Sequence, residues 1–157
     1  MRAWVAAALL LAGCAAPLYP GRSTVSDVEA ALGAPAERRW FGGETWLYYP
    51  SQPYGRKVSV ARLAPDGKLI ALEQRLSEEF IAKLVPNQSR AEDALALFGQ
   101  PFERVKYPRL QREAWSWHMR NYVNRPAGLH VQISPDGVVR EVYVIDENND
   151  DDVPRER

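Results

Sequence analysis

The fold is decided by a stretch that the chain carries twice. The first copy reads Thr24-Val-Ser-Asp-Val-Glu-Ala-Ala-Leu-Gly-Ala-Pro-Ala-Glu-Arg38, and the second reads Arg90-Ala-Glu-Asp-Ala-Leu-Ala-Leu-Phe-Gly-Gln-Pro-Phe-Glu-Arg104. In each copy the apolar residues fall on one face of a short helix. The helix is expected to end at Gly33 or Gly99, because glycine adopts a left-handed conformation and the proline two positions later prevents continuation.

The starts of these helices also carry signals. Ser23 or Thr24 can cap the first helix, and Ser89 followed by Glu92 has the spacing of a capping box for the second. Between the copies, the stretch 77–85 predicts a further short helix that ends before Pro86.

Two further blocks repeat in the same order. Glu44-Thr-Trp46-Leu-Tyr48 aligns with Glu113-Ala-Trp115-Ser-Trp117 after a three-residue insertion, and Ala64-Pro-Asp-Gly67 aligns with Ser134-Pro-Asp-Gly137. The first pair is rich in strand formers, and each Pro-Asp-Gly unit fits a turn between antiparallel strands. The flanking runs predicted as strands are 58–63, 68–72, 129–133 and 138–145.

The sequence therefore predicts an α+β protein made by tandem duplication. Each unit is expected to be a helix followed by a three-stranded antiparallel meander, with the helices packed on one face of the sheet. The expected organisation is a lipoprotein signal peptide (1–13), a lipidated cysteine and tether (14–20), a first unit (21–76), a second unit (77–146) and an acidic tail (147–157).

The amino-terminal stretch predicts export. Arg2 is followed by an apolar run that ends in Leu11-Ala12-Gly13-Cys14, and this pattern resembles the lipobox of bacterial lipoproteins. The resemblance implies that Cys14 is acylated and becomes the first residue of the mature protein. An ordinary secretory leader that contains a cysteine is the alternative. Cys14 is the one cysteine of the chain, so no disulfide within the chain supports the fold.

A helix, Leu32-Gly-Ala-Pro35, a Trp-Leu-Tyr strand and a meander behind a lipobox together resemble the SmpA/OmlA (BamE) lipoprotein family. That family has a single such unit, and the tandem arrangement is similar to the fold of β-lactamase inhibitory protein. The first resemblance implies a non-enzymatic adaptor on the periplasmic side of the outer membrane that helps to assemble barrel proteins. The second implies an inhibitor of a periplasmic or exported hydrolase, acting through a loop such as 50–56 or 121–128.

Strand alternation predicts a surface for a protein partner. Trp46 and Tyr48 are expected to face the helices, together with Trp115 and Trp117. The opposite face is then open, and exposed apolar residues beside arginine and histidine are typical of an interface. The candidate partner-binding residues on this face are Leu47, Tyr49, His118, Arg120 and His130.

Other classes of function find little support in the sequence. His118 and His130 could supply two metal ligands, but zinc requires at least a third, so no metal, cofactor or catalytic residue is expected. The formal net charge of zero does not indicate nucleic-acid binding. Basic residues follow each Gly-x-Pro, and they fit either a solvated rim or contact with anionic lipid head groups. The expected function is protein binding at the outer membrane, in barrel-protein assembly or envelope maintenance, with hydrolase inhibition as the alternative.

Overall fold

The computed structural model describes residues 17–147. The predicted leader, Cys14 and the predicted tail beyond Glu147 lie outside the described residues. The protein is α+β, with two four-stranded antiparallel sheets in the orders β1-β2-β3-β4 and β5-β6-β7-β8. The helices are α1 (Val25–Leu32), α2 (Glu78–Ile81) and α3 (Ala91–Phe98), with a 3₁₀ turn at Pro108–Leu110. The strands are β1 (Glu37–Phe41), β2 (Glu44–Pro50), β3 (Val58–Leu63), β4 (Leu69–Gln74), β5 (Glu103–Tyr107), β6 (Arg112–Arg120), β7 (Pro126–Ile133) and β8 (Val139–Asp146).

The two sheets are built in the same way. Each Pro-Asp-Gly turn joins the last two strands of its sheet, and Gly67 and Gly137 take the left-handed φ values of 80° and 78°. A register shift precedes both turns. An isolated bridge joins Thr24 to Lys68 in the first sheet's unit, and Arg90 is joined to Val138 at the equivalent place in the second. The predicted turns are therefore confirmed.

The helix caps match the prediction in the first unit only. The Thr24 backbone N–H donates to Asp27 Oδ2 at 2.7 Å, and the Asp27 N–H donates to Thr24 Oγ1. The predicted cap at Ser89 and Glu92 is wrong, because the structure starts α3 one residue later, where the Arg90 N–H donates to Asp93. The Ser89 hydroxyl instead accepts the Val85 N–H. The helix predicted at 77–85 shortens to the single turn of α2.

Each sheet has one more strand than expected. The additional strands are β1 and β5, which directly follow the Gly-x-Pro segments and lie at the sheet edges. Both carry charged and half-exposed side chains, which are common on edge strands and hide the alternation that identifies a strand.

The helices do not all pack on one face of one sheet. Val28 of α1 clusters with Leu47 and Ala61 on one face of the first sheet. Tyr48 points to the other face and belongs to a larger core with Phe98 of α3. The Tyr48 hydroxyl donates a 2.7 Å hydrogen bond to the backbone carbonyl of Ala96 in α3. The first sheet therefore contacts its own helix on one face and the second unit's helix on the other.

This packing shows that Leu47 and Tyr49, which the sequence predicts on an open surface, lie against α1 instead. Leu47 pairs with Ala61, three residues before Ala64, and Trp115 pairs with Val131, three residues before Ser134. Leu47 is thus the structural counterpart of Trp115, although the sequence alignment had matched Trp115 with Trp46.

Because of that one-residue offset, the face carrying Leu47 and Tyr49 lies against α1 rather than in solvent. Leu47 is 0% exposed, and Tyr49 is half-buried with its ring against the same cluster. Leu47 cannot form part of a surface site in the folded protein.

Candidate functional site: the histidine face of the second sheet

The outer face of the second sheet carries both histidines of the chain. Ser116 pairs with His130 across β6 and β7, and His118 pairs with Gly128. Tyr143 of β8 stands opposite His130 on its other side. Helix α3 covers the opposite face, where Phe98 meets Trp117 at a ring-centroid distance of 5.6 Å. We call this surface, formed by Phe102, Ser116, His118, His130, Tyr143, Ile145 and Glu147, the histidine face.

His118 is held by a charged partner and an aromatic ring. Its Nδ1 lies 2.7 Å from Glu147 Oε1, and its imidazole stacks on Phe102 with ring centroids 4.1 Å apart. The Arg56 guanidinium donates to the other oxygen of Glu147. The hydrogen bond from Arg56, followed by that from His118, lowers the pKa of Glu147 to about 2. Glu147 is therefore a carboxylate at neutral pH and fixes the orientation of the His118 ring.

The β2–β3 loop of the first unit (51–57) closes over this end of the second sheet. Strand β5 begins at Glu103, opposite Ser116, so it does not reach His118. The Gln52 side chain occupies that place: its amide donates to the His118 carbonyl at 2.7 Å and accepts the His118 N–H at 2.9 Å. Arg56 also donates to the backbone carbonyls of Met119 and Ala127. These bonds fix the loop to the histidine face.

His130 is partly buried on the same face. Its Nδ1 is 3.0 Å from Ser116 Oγ, and its ring stacks against Tyr143 at 5.4 Å. Burial lowers the pKa of His130, so the ring is neutral near pH 7. A Cβ added to Gly128 would stand 2.8 Å from His130 Nε2, so the missing side chain makes room for the imidazole.

The structure therefore brings His118 and His130 to one face, as strand alternation predicted. Arg120 follows on the same strand but is exposed, and it donates to the Asn124 carbonyl within the β6–β7 connection. Leu47 and Tyr49 belong to the first sheet and are not part of this surface.

Sequence reasoning missed the groups that hold the histidines. Glu147 had been assigned to the acidic tail, yet it continues the alternation of Tyr143 and Ile145 along β8, and that parity could have placed it beside His118. Arg56 and Gln52 come from the other unit, more than sixty residues away in sequence, and no local pattern indicates their contact with β6.

The contacts among the side chains of the histidine face are hydrogen bonds and aromatic stacking. Ser116 is buried beneath His130, which leaves its hydroxyl poorly placed to attack a substrate. In residues 17–147 no three His, Cys, Asp or Glu side chains form a group that could hold a metal ion.

Two exposed tyrosines lie on loops near this end of the molecule. Tyr54, in the loop 51–57, is 100% exposed, although Gln52 and Arg56 on either side are hydrogen-bonded to the second unit. Tyr122 lies in the β6–β7 connection and is 82% exposed. Across residues 17–147 the helices are all too short or too polar to span a bilayer.

Comparison with known proteins gives little further information. No protein-family model matches the chain, and no curated protein sequence matches it significantly. Among solved structures, it is similar to a DUF4309 family protein (YjgB) from Bacillus subtilis, with 18% identity over 83% of this chain and 82% of that chain. The TM-score of 0.32 is too low for this likeness to support an argument about fold or function.

Proposed function

We propose that the protein is a lipoprotein of the outer membrane that binds a protein partner through the histidine face and catalyses no reaction. The observation that carries this proposal is a sheet face that, within residues 17–147, has no helix over it yet presents ordered aromatic and histidine side chains. Aromatic residues and arginine are enriched at protein interfaces. Side chains already held by hydrogen bonds lose little conformational entropy when a partner binds.

The anchoring part of the proposal rests on the lipobox. Acylation at Cys14 and at the new amino terminus adds two or three chains, which hold a protein at a bilayer where one chain gives only reversible binding. Ala15 follows Cys14 in place of the aspartate that retains some lipoproteins in the inner membrane. Membrane fractionation tests this: we expect the wild type with the outer membrane and a Cys14→Ala variant in the soluble periplasm. Recovery of both forms in the soluble fraction would contradict anchoring.

We further propose that the partner belongs to the machinery that inserts barrel proteins into the outer membrane. The support is the resemblance of the repeated unit to the SmpA/OmlA (BamE) family, and an analogy of fold is weaker support than a site. Both units contribute to this surface, since loop 51–57 of the first unit is hydrogen-bonded to the histidine face of the second.

The binding role is tested by copurification from cells with a double variant. Phe102 and Ile145 are exposed on the histidine face, and replacing both with aspartate should abolish partner capture while the protein still unfolds cooperatively. The matched control is the replacement of Tyr19 and Leu72, which are exposed elsewhere, with aspartate. The proposal fails if the two double variants retain the same partner to the same extent.

Hydrolase inhibition is the second candidate function, and loop 51–57 is the observation that favours it. A convex loop with a fully exposed tyrosine at its tip and hydrogen bonds at its base is suited to enter an enzyme's cleft. We expect such an inhibitor to lose its effect in a Tyr54→Ala variant but not in Tyr122→Ala. A panel of periplasmic and exported hydrolases that all remain fully active with micromolar protein would exclude this function.

A further inference from the structure

The two units differ at the hairpin between their first two strands. In the first unit β1 and β2 are joined by Gly42 and Gly43, and a Cβ on Gly43 would lie 3.8 Å from Pro65 of the Pro-Asp-Gly turn. In the second unit the connection is longer, with a 3₁₀ turn at Pro108–Leu110 followed by Gln111 at a left-handed φ of 49°. The insertion moves the hairpin tip away from its turn and leaves a groove between them.

The groove is apolar at its base. Its volume is about 530 Å³, and its most buried lining side chains are Trp115 and Ile133, each 5% exposed. Tyr107 and Pro108 line it from the hairpin, and Pro135 lines it from the turn. Trp115 and Ile133 belong to the face of the second sheet opposite the histidine face, so the base of the groove is a separate surface.

The rim of the groove is positively charged. Lys106 and Arg112 line it, and Arg109 lies on the adjoining surface of the hairpin. Within residues 17–147 none of these three forms a salt bridge, and Glu113 is the acidic residue among the lining side chains.

The corresponding strand of the first unit is different, because its arginines are neutralised. Arg38 pairs with Glu29 at 2.9 Å, and Arg39 pairs with Glu37 at 2.6 Å. Charged side chains on an edge strand also discourage unwanted strand pairing. Preventing strand pairing does not require an apolar groove beside the charged side chains. The first unit shows this, because it has a charged edge strand while its β1–β2 hairpin lies close to its Pro-Asp-Gly turn.

We propose that this groove binds an extended acidic segment of a partner protein. One apolar side chain of the segment would lie against Trp115 and Ile133, and carboxylates on either side would pair with Lys106, Arg109 and Arg112. A concave site between two loops fits a peptide better than a flat surface.

The acidic cluster of the chain's own tail, Asp150 to Asp152, cannot reach this groove in the same molecule. Strand β8 runs away from the turn at 134–137, and its length from Val139 to Asp146 is roughly 23 Å. Asp152 is five residues beyond Glu147, which gives a reach of at most about 18 Å. The tail of a second copy is not restricted in this way, and it is included in the test.

The test is a selection of displayed random peptides on the full processed protein. The affinity of the enriched peptides is then measured for the wild type and for a Lys106→Glu/Arg109→Glu variant. The matched control is Arg22→Glu/Arg125→Glu, which makes the same change in net charge at exposed positions elsewhere. We expect enriched peptides to be acidic with an aromatic or aliphatic residue. They should bind the wild type and the control equally, and the groove variant at least about tenfold more weakly, the loss expected when an interfacial hot spot is removed.

Two results would overturn the proposal. One is enrichment of peptides without acidic character, or of peptides that bind all three proteins equally. The other is that a synthetic peptide of residues 146–157 binds the groove as tightly as the selected peptides while the protein dimerises, which would assign the groove to a second copy. Binding by the histidine-face variant Phe102→Asp/Ile145→Asp is expected to be unchanged, so failure here is distinguishable from failure of the proposed function.

Discussion

The hydrogen bond from Tyr48 to helix α3 joins the two units, and its removal has a calculable effect. Helix α3 ends at Phe98, so the Ala96 carbonyl is among the last carbonyls of the helix that lack a partner within it. The Tyr48 hydroxyl, on a side chain that is 1% exposed, satisfies that carbonyl at 2.7 Å. In a Tyr48→Phe variant this partly buried carbonyl loses its donor, which should lower the free energy of unfolding by about 0.5–1.5 kcal/mol.

The same substitution should change how stability depends on alkaline pH. Burial raises the pKa of Tyr48 to about 12 from a usual value of 10. The folded state therefore holds this proton more tightly than the unfolded state. The stabilisation is complete below pH 10 and is lost as the pH rises from 10 to 12, at about 1.4 kcal/mol per pH unit. The variant lacks this contribution, so the difference between the two proteins should shrink above pH 10.

Urea unfolding at pH 7 and at pH 11 measures both effects. The other tyrosines titrate in both proteins and cancel in the comparison. Tyr54→Phe is the matched control, because Tyr54 is fully exposed and its substitution should leave both measurements unchanged. If Tyr48→Phe matched the wild type at pH 7, or if the difference between them were constant up to pH 11, the inferred bond between the units would be refuted.

Three other substitutions test the packing and the site. Leu47→Ala should lower the free energy of unfolding in urea by about 2–5 kcal/mol, because Leu47 is buried under α1. The control Leu110→Ala, at an exposed position, should change it by less than about 0.5 kcal/mol. Equal effects of the two substitutions would contradict the burial of Leu47. The pKa of Glu147 is lowered from 4.5 to about 2, so its stabilisation is present above pH 4.5 and is lost as the pH falls toward 2. Because this side chain is a third exposed, we expect solvent screening to reduce the loss to about 1–2 kcal/mol, and Glu147→Gln should lack it in urea unfolding at pH 6 and pH 3. Gly128→Ala should displace the His130 ring and raise its pKa toward 6.5 in an NMR titration, and an unchanged titration would show that the ring does not depend on that space.

The sequence predicted the parts of the fold that local chemistry determines. The Pro-Asp-Gly turns need a left-handed glycine, and both form as expected at Gly67 and Gly137. The ends of the two main helices were also set by local residues, since the Gly33 and Gly99 N–H groups each bond back into their own helix. The α+β class follows from these signals.

The faces of the first sheet could not be predicted in the same way. Alternation identifies a buried face only when the other face is polar. The first sheet has a helix against each face, so Leu47 and Tyr48 are both buried although they point in opposite directions. From the sequence alone, either Trp46 or Leu47 could be the counterpart of Trp115. Matching Trp46 with Trp115 assigns Leu47 to the open face, whereas in the structure Leu47 packs against α1.

Part of the candidate site could be predicted, because strand alternation is informative where a helix covers one face of a sheet. In the part of the chain that the structure describes, the second sheet has a helix on one face only, and there alternation correctly placed His118 and His130 together. The residues that hold them come from distant parts of the chain: Arg56 lies in the other unit, and Glu147 lies just beyond the last strand. Contacts at such separations depend on how the units pack, which no local pattern records.

In-cell photo-crosslinking measures whether a protein partner binds at the histidine face. A photo-reactive residue is placed at Ile145 on the histidine face, at Tyr54 on the loop tip, or at Trp40 on the first sheet, all of which are exposed. The account predicts one strong adduct with a barrel-assembly protein from position 145 and little from position 40. Equal adducts from positions 145 and 40, or an adduct with a soluble enzyme from position 54 alone, would contradict it.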